Sequence, residues 1–365
     1  MIIRSSSPLT EEPAAPPALP CGLASCAEGN PQCEAAPGNS ETTSDCCGPP
    51  IPPGCRLDSD DEPAPVPLDW RDVHAEVQRH GRDERWQHDG RHLQTLTLGE
   101  GPPLYLPCGL SGRSELFCLL AWLLKDSFRC VMIDLPAPAL RGRLNRDAPL
   151  NQPVADLLDV MDRAGDETAV VYGAGFSGLV AIELTRAVPH RVAGLILQSV
   201  GFQQELSTAE RFLARCGLVL PWLPIRRVPA VQTIQLRNHR MWFPPGAEDR
   251  WNYWADAAGT TPAGDVSRRL IAADRLAAAG GLPAGVPAQG KRIVPDSVPV
   301  QLLRTEGDGE RLAGAADRLT AQLSNPRIAW MGGCGQLAYL THPHRTARLV
   351  REFAAPETTA SAAGG

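Results

Sequence analysis

The chain has 365 residues, which is enough for one large α/β domain with an additional terminal segment. Its 41 acidic residues outnumber its 35 basic residues, and the net charge of −6 argues against a nucleic-acid-binding protein, which needs a basic face. No apolar run approaches the roughly 20 residues of a membrane-spanning helix, and Met1–Pro8 lacks the apolar core of a secretory signal, so we expect a cytoplasmic protein without a transmembrane segment.

Residues 1–67 are rich in proline and cysteine. They contain 14 of the 35 prolines and no aromatic residue, so they cannot bury enough apolar area to offset the entropy cost of ordering. We therefore predict a disordered extension. Its cysteines form no C-x₂-C pair of the kind that binds zinc, and a disulfide module would require export. We expect reduced thiols here, with a metal or disulfide module as the alternative. The cysteines concerned are Cys21, Cys26, Cys33, Cys46, Cys47 and Cys55.

Strand and helix patterns alternate from residue 68 onward. Residues 92–98 alternate polar and apolar side chains, and residues 103–107 are mostly apolar, as in buried strands. A helical pattern over 114–125, a strand over 130–135 and a helix over 153–164 follow. Strands that alternate with helices at this spacing predict a doubly wound, mostly parallel sheet.

The segment Gly173-Ala174-Gly175-Phe176-Ser177 joins a strand pattern over 167–172 to a helix pattern over 178–184. A glycine-rich turn between strand and helix is typical of the nucleophile elbow of the α/β-hydrolase fold, in which the middle residue of G-x-S-x-G presents a hydroxyl group. Gly175 holds the middle position here and has no group that could attack a carbonyl. Glycine tolerates the strained backbone of this turn. The sequence therefore predicts the α/β-hydrolase fold with an elbow that lacks its nucleophile.

An insertion interrupts the alternation between about residues 202 and 297. We predict that it forms a cap over the carboxyl edge of the sheet. The alternation then resumes, and the last helix pattern ends near Ala354, so the domain should span 68–354 and be followed by a flexible tail over 355–365. The cap contains four tryptophans, Trp222, Trp242, Trp251 and Trp254.

The acid and base of a hydrolase triad follow the nucleophile in chain order. Asp308 follows the first strand after the cap, at the position of the acid, although Gly307-Asp308-Gly309 is also an ordinary turn sequence. In the loop after the last strand, Gln336 takes the position of the histidine. Glutamine has no titratable group near pH 7 and cannot act as a general base. The triad positions Gly175, Asp308 and Gln336 therefore predict a protein without hydrolase catalysis.

Other side chains could substitute for the missing groups. Ser177 lies two residues beyond Gly175, about 200° around the helix, so we expect it to face away from the cleft or to cap the helix. His342 and His344 most simply form the first turn of the last helix. Cys108 lies near the predicted oxyanion loop, but no base beside it is evident. We expect none of these to restore catalysis, and rescue by Ser177, His342 or His344 is the alternative.

An oxyanion-like pocket is predicted where the elbow meets the loop after the second strand. The N–H group of Phe176 follows the elbow, and Cys108 and Gly109 begin the Gly/Ser loop. Such a pocket could bind a small acyl or phosphate group. His88 and His92 have a metal-compatible spacing but lie in a stretch rich in Arg and Asp, so we predict neither a metal nor a cofactor.

Two loops carry a family resemblance. The loop Leu106-Pro107-Cys108-Gly109-Leu110-Ser111-Gly112, and Gly332-Gly333 with Tyr339-Leu340, resemble the corresponding loops of maspardin, over about residues 84–354. The resemblance implies a non-catalytic α/β-hydrolase-fold protein that binds an unidentified protein partner. It also implies a cytoplasmic location with peripheral association at endosomal or Golgi membranes.

The sequence thus predicts a pseudoenzyme that acts as an interaction or adaptor protein. Two alternatives stay open at this point. One is a hydrolase that acts on a small ester or related acyl substrate with an atypical site. The other is a receptor that binds a small molecule in the old substrate cleft, for which the cap aromatics would line a cavity.

Overall fold

The computed structural model describes residues 68–140, 148–201, 206–278 and 292–354. The predictions for residues 1–67 and for the tail 355–365 lie outside the described residues. Within the described part of the chain, no helix combines the length and the apolar character that crossing a membrane requires.

The described residues form an eight-stranded sheet in the order β1-β2-β4-β3-β5-β6-β7-β8. The second strand runs antiparallel to both of its neighbours, and all other pairs are parallel. This confirms the predicted doubly wound, mostly parallel sheet. The strands are β1 Arg82–His88, β2 Arg91–Leu98, β3 Pro103–Pro107, β4 Arg129–Asp134, β5 Ala169–Ala174, β6 Val192–Gln198, β7 Val300–Thr305 and β8 Arg327–Met331.

Helices cover both faces of the sheet, and four of them, α5 to α8, form the described part of the cap between β6 and β7. The helices are α1 Trp70–His80, α2 Cys118–Leu124, α3 Asn151–Ala164, α4 Phe176–Ala187, α5 Thr208–Val219, α6 Pro229–His239, α7 Glu248–Gly259, α8 Ala263–Ala278, α9 Gly309–Thr320, α10 Ala338–Thr341 and α11 Pro343–Ala354.

Two local features differ from the sequence-based expectation. The helix predicted from Ser114 begins as a 3₁₀ turn over Ser114–Phe117, and the Ser114 N–H group donates to Asp134 Oδ1 at 2.7 Å. The strand β1 is not signalled by any apolar alternation. It lies at the edge of the sheet and is mostly charged, as edge strands that avoid further pairing often are.

The core consists of two apolar clusters, one on each face of the sheet. In β3, Leu104 and Leu106 belong to one cluster and Tyr105 to the other, as the two-residue period of a strand requires. The cap contributes to both clusters, through Trp254 on one side and Leu276 on the other. The cap is therefore packed into the core of the domain.

Strand β5 and helix α4 approach each other closely beside the turn that joins them. A Cβ atom added to Gly173 would lie 2.5 Å from the Cα atom of Gly178, and one added to Gly178 would lie 2.3 Å from a methyl carbon of Val200. Real Cβ atoms do not approach other carbons this closely. Both glycines are therefore required by the packing of the helix on the strand.

We expect Gly173→Ala to destabilise the fold by about 1–3 kcal/mol, because the atom it contacts belongs to the backbone and cannot rotate away. Gly314→Ala is the matched control. Gly314 lies within α9 with no neighbour closer than 3.7 Å to the added carbon, so alanine should stabilise the protein by about 0.5–1 kcal/mol. Urea unfolding would measure both changes, and equal stabilities for the two variants would contradict the packing argument.

Candidate functional site

The turn between β5 and α4 has the geometry of a nucleophile elbow. Gly175 adopts φ 57° and ψ −117°, a conformation that residues with a side chain rarely adopt. Its N–H group donates to the carbonyl oxygen of Gln198 at 3.0 Å, which ties the turn to the end of β6. A Cβ atom added to Gly175 would meet no atom within 4 Å. The backbone of the elbow is therefore kept, and the space beside it is open.

Ser177 is not available as a substitute nucleophile. Its Oγ atom accepts the N–H of Ala174 at 3.0 Å and donates to the carbonyl oxygen of Ala174 at 3.1 Å. The side chain is fully buried at the junction of β5 and α4. Because the helix begins at Phe176, the N-cap is Gly175, and Ser177 does not cap the helix as one of the two expectations had it.

Asp308 lies at the carboxyl end of β7 and is held by three hydrogen bonds. Its carboxylate accepts the N–H of Thr305 at 3.0 Å, the hydroxyl of Thr305 at 2.8 Å and the hydroxyl of Ser199 at 2.6 Å. The carboxylate is buried and its orientation is fixed. Asp308 therefore makes a hydrogen bond to a residue outside its own turn, which an ordinary turn residue would not need. Its role as the acid stays a prediction.

Ser199 is a residue that the sequence did not single out. It directly follows β6 and adopts φ 50°, in the left-handed region that non-glycine residues seldom occupy. Strained conformations of this kind cluster at functional sites. Its position after a strand, at the carboxyl edge of a parallel sheet, was a signal that could have drawn attention to it.

Gln336 lies in the loop after β8. Its carbonyl oxygen accepts the side-chain N–H of Gln198 at 3.1 Å, so this loop and the elbow are both tied to the same residue of β6. The cap residue Trp242 packs over the loop. A Cβ atom at Gly335 would lie 2.7 Å from the indole ring, and one at Gly307 would lie 2.6 Å from it. A cap side chain thus lies against both loops that carry the predicted acid and base positions.

The two histidines near the end of the chain belong to the helical layer. His342 joins α10 to α11, with Nδ1 2.9 Å from the hydroxyl oxygen of Thr341, and His344 lies in the first turn of α11. Burial lowers the pKa of His342 to about 4, so this ring is neutral at pH 7. The placement agrees with the expected first turn of the last helix.

The predicted oxyanion pocket is formed by fewer groups than expected. The N–H of Cys108 donates to the carbonyl oxygen of Ile133 at 2.9 Å, as part of the sheet, and cannot serve a ligand. A Cβ atom at Gly109 would lie 3.1 Å from the carbonyl oxygen of Ala174, so Gly109 lies directly beside the elbow. Phe176 is the first residue of α4, where N–H groups have no partner within the helix. Of the three predicted groups, Gly109 and Phe176 therefore remain, and their role as oxyanion donors stays a prediction.

Cys108 is also unsuited to act as a nucleophile. Its thiol is buried, and its sulfur accepts the N–H of Leu135 at 3.2 Å. Burial raises the pKa of Cys108 to about 11, although the charge of Arg269 acts in the opposite direction. The attacking species of cysteine enzymes is the thiolate, and almost none is present at neutral pH with such a pKa.

The cap holds the oxyanion loop in place. Arg269 is buried and donates to the carbonyl oxygens of Leu110 at 3.3 Å and Leu135 at 2.8 Å. The hydroxyl of Thr261 donates to the carbonyl oxygen of Ser111, and that of Tyr253 to the carbonyl oxygen of Glu115 at 3.0 Å. Three cap side chains therefore bond to backbone carbonyl groups of this loop, of the 3₁₀ turn that follows it and of the residue after β4.

Three of the four cap tryptophans pack against protein. Trp251 and Trp254 lie 5.1 Å apart between ring centroids, and Phe243 packs edge-on against Trp251. Trp242 covers the two loops described above, whereas Trp222 is exposed. The expectation of a small-molecule ligand in the cleft stays a prediction.

In the described part of the chain, no group of three or more His, Cys, Asp or Glu residues is arranged to hold a metal ion. Of the histidines considered for a metal site, His88 faces Asp159 across 3.1 Å.

Comparison with known proteins gives the relatives of this chain. No family model matches the sequence. The pimeloyl-[acyl-carrier protein] methyl ester esterase of Aromatoleum aromaticum is 30% identical over 200 residues, which cover 51% of this chain and 74% of the esterase. Among solved structures, a thermophilic esterase from Thermogutta terrifontis is 16% identical with a TM-score of 0.53, and the match covers 74% of this chain and 97% of the esterase chain. A hydrolase from Pseudomonas aeruginosa PA01 is 17% identical with a TM-score of 0.56, covering 75% and 98%.

These comparisons correct one prediction. The structural likenesses confirm the α/β-hydrolase fold. The prediction of a non-enzymatic protein, made from Gly175 and Gln336, is contradicted, because the related protein from Aromatoleum aromaticum is an esterase that aligns with about half of this chain. A maspardin-like subtype is not supported by them.

We expect Gly175→Ser to cost about 1–3 kcal/mol of stability, because serine must adopt the backbone conformation of the elbow while its side chain enters open space. Gly175→Ala should cost the same, since the penalty lies in the backbone. Urea unfolding of both variants would test this. If serine were much more destabilising than alanine, the space beside Gly175 would not be open to a hydroxyl group.

We also expect stability to fall between pH 6.5 and 4 through His342 and His239. Burial lowers the pKa of each to about 4, from an ordinary value of 6.5. The unfolded chain therefore binds more protons in this range, and the stabilisation present above pH 6.5 is lost by about 1.4 kcal/mol per pH unit for each histidine. His342→Gln should flatten the pH dependence, whereas His92→Gln, at an exposed position, should not. Urea midpoints at pH 7, 6 and 5 would measure the difference, and identical slopes for the two variants would contradict it.

Proposed function

Because this chain belongs to the α/β-hydrolase superfamily, we propose that it is a hydrolase that acts on a small ester or related acyl substrate with an atypical site. The observation that carries the proposal is the buried Asp308 carboxylate. It accepts a hydrogen bond from Ser199, near the elbow at which the space beside Gly175 is open. The relationship to a methyl ester esterase supports an ester as the substrate class.

Water is the attacking group in this proposal. Gly175 has no hydroxyl, Ser177 is buried with both hydrogen-bonding roles used, and Cys108 is a buried thiol. The open space beside Gly175 lies where the hydroxyl of an ordinary elbow would be. A water molecule in that space attacks the acyl carbon directly, so that no acyl-enzyme forms.

Asp308 is the general base. The Asp308 carboxylate accepts a hydrogen bond from Ser199. Ser199 directly follows Gln198, whose carbonyl oxygen accepts the N–H of Gly175 at 3.0 Å, so Ser199 connects the carboxylate to the elbow. The carboxylate takes a proton from the water, directly or through the Ser199 hydroxyl. The water oxygen bonds to the acyl carbon as the carbonyl electron pair moves onto its oxygen. When that pair returns, the bond to the alcohol oxygen breaks, and the departing alkoxide takes up the proton that Asp308 accepted.

The developing negative charge is stabilised by backbone groups. Gly109 lies beside Ala174, and Phe176, whose N–H group is the second donor in this proposal, is the first residue of helix α4. Donors oriented toward an oxyanion contribute several kcal/mol to catalysis in related chemistry, and the positive end of the helix dipole adds to them. The remaining expectations, a protein partner and an endosomal or Golgi association, rest on the maspardin resemblance alone and stay predictions.

We expect Asp308→Asn to lower the turnover of p-nitrophenyl acetate by about 10²–10⁴-fold, because the amide cannot accept the proton of the attacking water. Asp317→Asn is the matched control. Asp317 is an exposed carboxylate on α9 that pairs with Arg304, and its loss should leave turnover unchanged. Full activity in Asp308→Asn would contradict the proposed base.

Direct attack by water also predicts that a fluorophosphonate does not label the protein stoichiometrically. Ser199→Ala should reduce turnover by about tenfold, the loss expected for a group that orients the base, and should not abolish it. Mass spectrometry of the wild-type protein after fluorophosphonate treatment would measure the labelling. A phosphonylated Ser199 would show instead that this serine is a covalent nucleophile.

A further inference from the structure

The outer face of the cap exposes large apolar side chains to solvent. Of the nine large hydrophobic residues that are exposed in the described part of the chain, eight lie between Phe212 and Met241. On and just after α5, Phe212 is 69% exposed, Val219 74% and Trp222 71%. We call these eight residues, from Phe212 to Met241, the cap patch. Monomeric proteins seldom expose a concentration of this kind unless it binds something.

The periodicity of α5 shows that this exposure is systematic. Ala214 is buried, and a Cβ atom at Gly217 would lie 2.1 Å from Ser267 Oγ, so these two residues face α8. Phe212, Arg215 and Val219 are spaced three, four and seven residues apart and share the opposite, exposed face. The helix thus directs apolar side chains and an arginine outward together.

Helix α6 has no buried residue at all. It nevertheless carries Ile234 and Leu236, both exposed, and the turn after it carries Met241, which is 72% exposed. A helix in water is normally stabilised by burying an apolar stripe. The apolar residues of α6 therefore fit a helix that buries them in a surface outside this chain.

The segment that carries the cap patch, residues 206–241, is basic, whereas the chain as a whole is acidic. Residues 206–241 contain six arginines, no lysine and one acidic residue, whereas the whole chain has a net charge of −6. Four of these arginines are exposed and make no ion pair within 4 Å to a carboxylate of the described residues. They are Arg215, Arg226, Arg227 and Arg237.

We propose that the cap patch docks this protein on a lipid surface that carries anionic headgroups. Exposed Trp, Phe, Leu and Met side chains enter the boundary between headgroups and acyl chains, and the arginines bind the phosphates. A second copy of this chain does not fit the patch, because a symmetric contact would bring the same arginines together. The inference goes beyond the proposed hydrolysis and does not depend on it.

Sedimentation with vesicles tests the proposal on the full chain. Vesicles of phosphatidylcholine with 30% phosphatidylglycerol should bind the protein, and phosphatidylcholine alone should bind it at least about tenfold more weakly, since each arginine near an anionic surface contributes roughly a fivefold factor. Raising the salt concentration should release it. Failure to bind the anionic vesicles would overturn the proposal.

Variants identify the surface that binds. Arg226→Gln with Arg227→Gln, and separately Trp222→Ser with Met241→Ser, should each lower vesicle binding by about tenfold or more. The matched control is Arg82→Gln with Arg85→Gln, which removes two exposed charges from the edge strand β1 and should leave binding unchanged. Equal losses in the control would show that binding is not a property of the cap. Thermal melts of all variants would distinguish a variant that has unfolded from one that is folded but no longer binds.

Two other occupants would also overturn the proposal. A dimer in sedimentation equilibrium that Trp222→Ser dissociates would identify a second copy of this chain as the occupant. Binding to an acidic carrier protein that competes with the vesicles, and that is tighter than vesicle binding at equal salt, would identify a protein.

Discussion

The backbone turn at Gly175 is the constraint on which the rest of the site depends. Its hydrogen bond to Gln198 fixes the end of β6, and Gln198 in turn holds the loop of Gln336 through its side chain. Ser199, which follows Gln198, adopts a left-handed backbone conformation and donates a hydrogen bond to Asp308. A single strand end therefore orients the elbow, the acid loop and the final loop relative to one another. Because the geometry resides in the backbone, the loss of one side chain from the elbow leaves it intact.

The relatives and the triad positions point in different directions, and the structure suggests how both can hold. A triad requires a hydroxyl and a histidine, and this chain has Gly175 and Gln336 in their positions. Hydrolysis itself requires an activated oxygen, a base and a site for the oxyanion. In the proposed mechanism, the buried carboxylate of Asp308, the N–H of Phe176 at the start of α4 and the open space beside the turn meet these requirements. The missing parts are those of a covalent intermediate, which hydrolysis by water does not need.

Much of the fold could be predicted from the sequence, because strand and helix periods and the glycine turn are local signals. The glycine turn and the doubly wound, mostly parallel sheet follow from such signals. The edge strand β1 could not be predicted, since its charged residues face solvent. For Ser199 the sequence offers only its position after a strand. Its left-handed backbone and its contact with Asp308, across 109 positions of the chain, appear only in the structure. The occupied N–H of Cys108 was likewise set by pairing with β4, which a local pattern does not reveal.

The hydrogen bonds from Tyr253, Thr261 and Arg269 have a kinetic consequence. All three donors belong to the cap, and all their acceptors are backbone carbonyls: two in the loop beside the elbow, one in the 3₁₀ turn that follows it and one, Leu135, just after β4. Arg269 is buried, so its carbonyl partners would have to be solvated anew if α8 moved away. The cap therefore cannot lift while the loop stays as it is. Entry of a molecule beneath the cap and rearrangement of the loop are a single step with a single rate, so exchange of molecules at this site should be slow compared with the motion of an untethered lid.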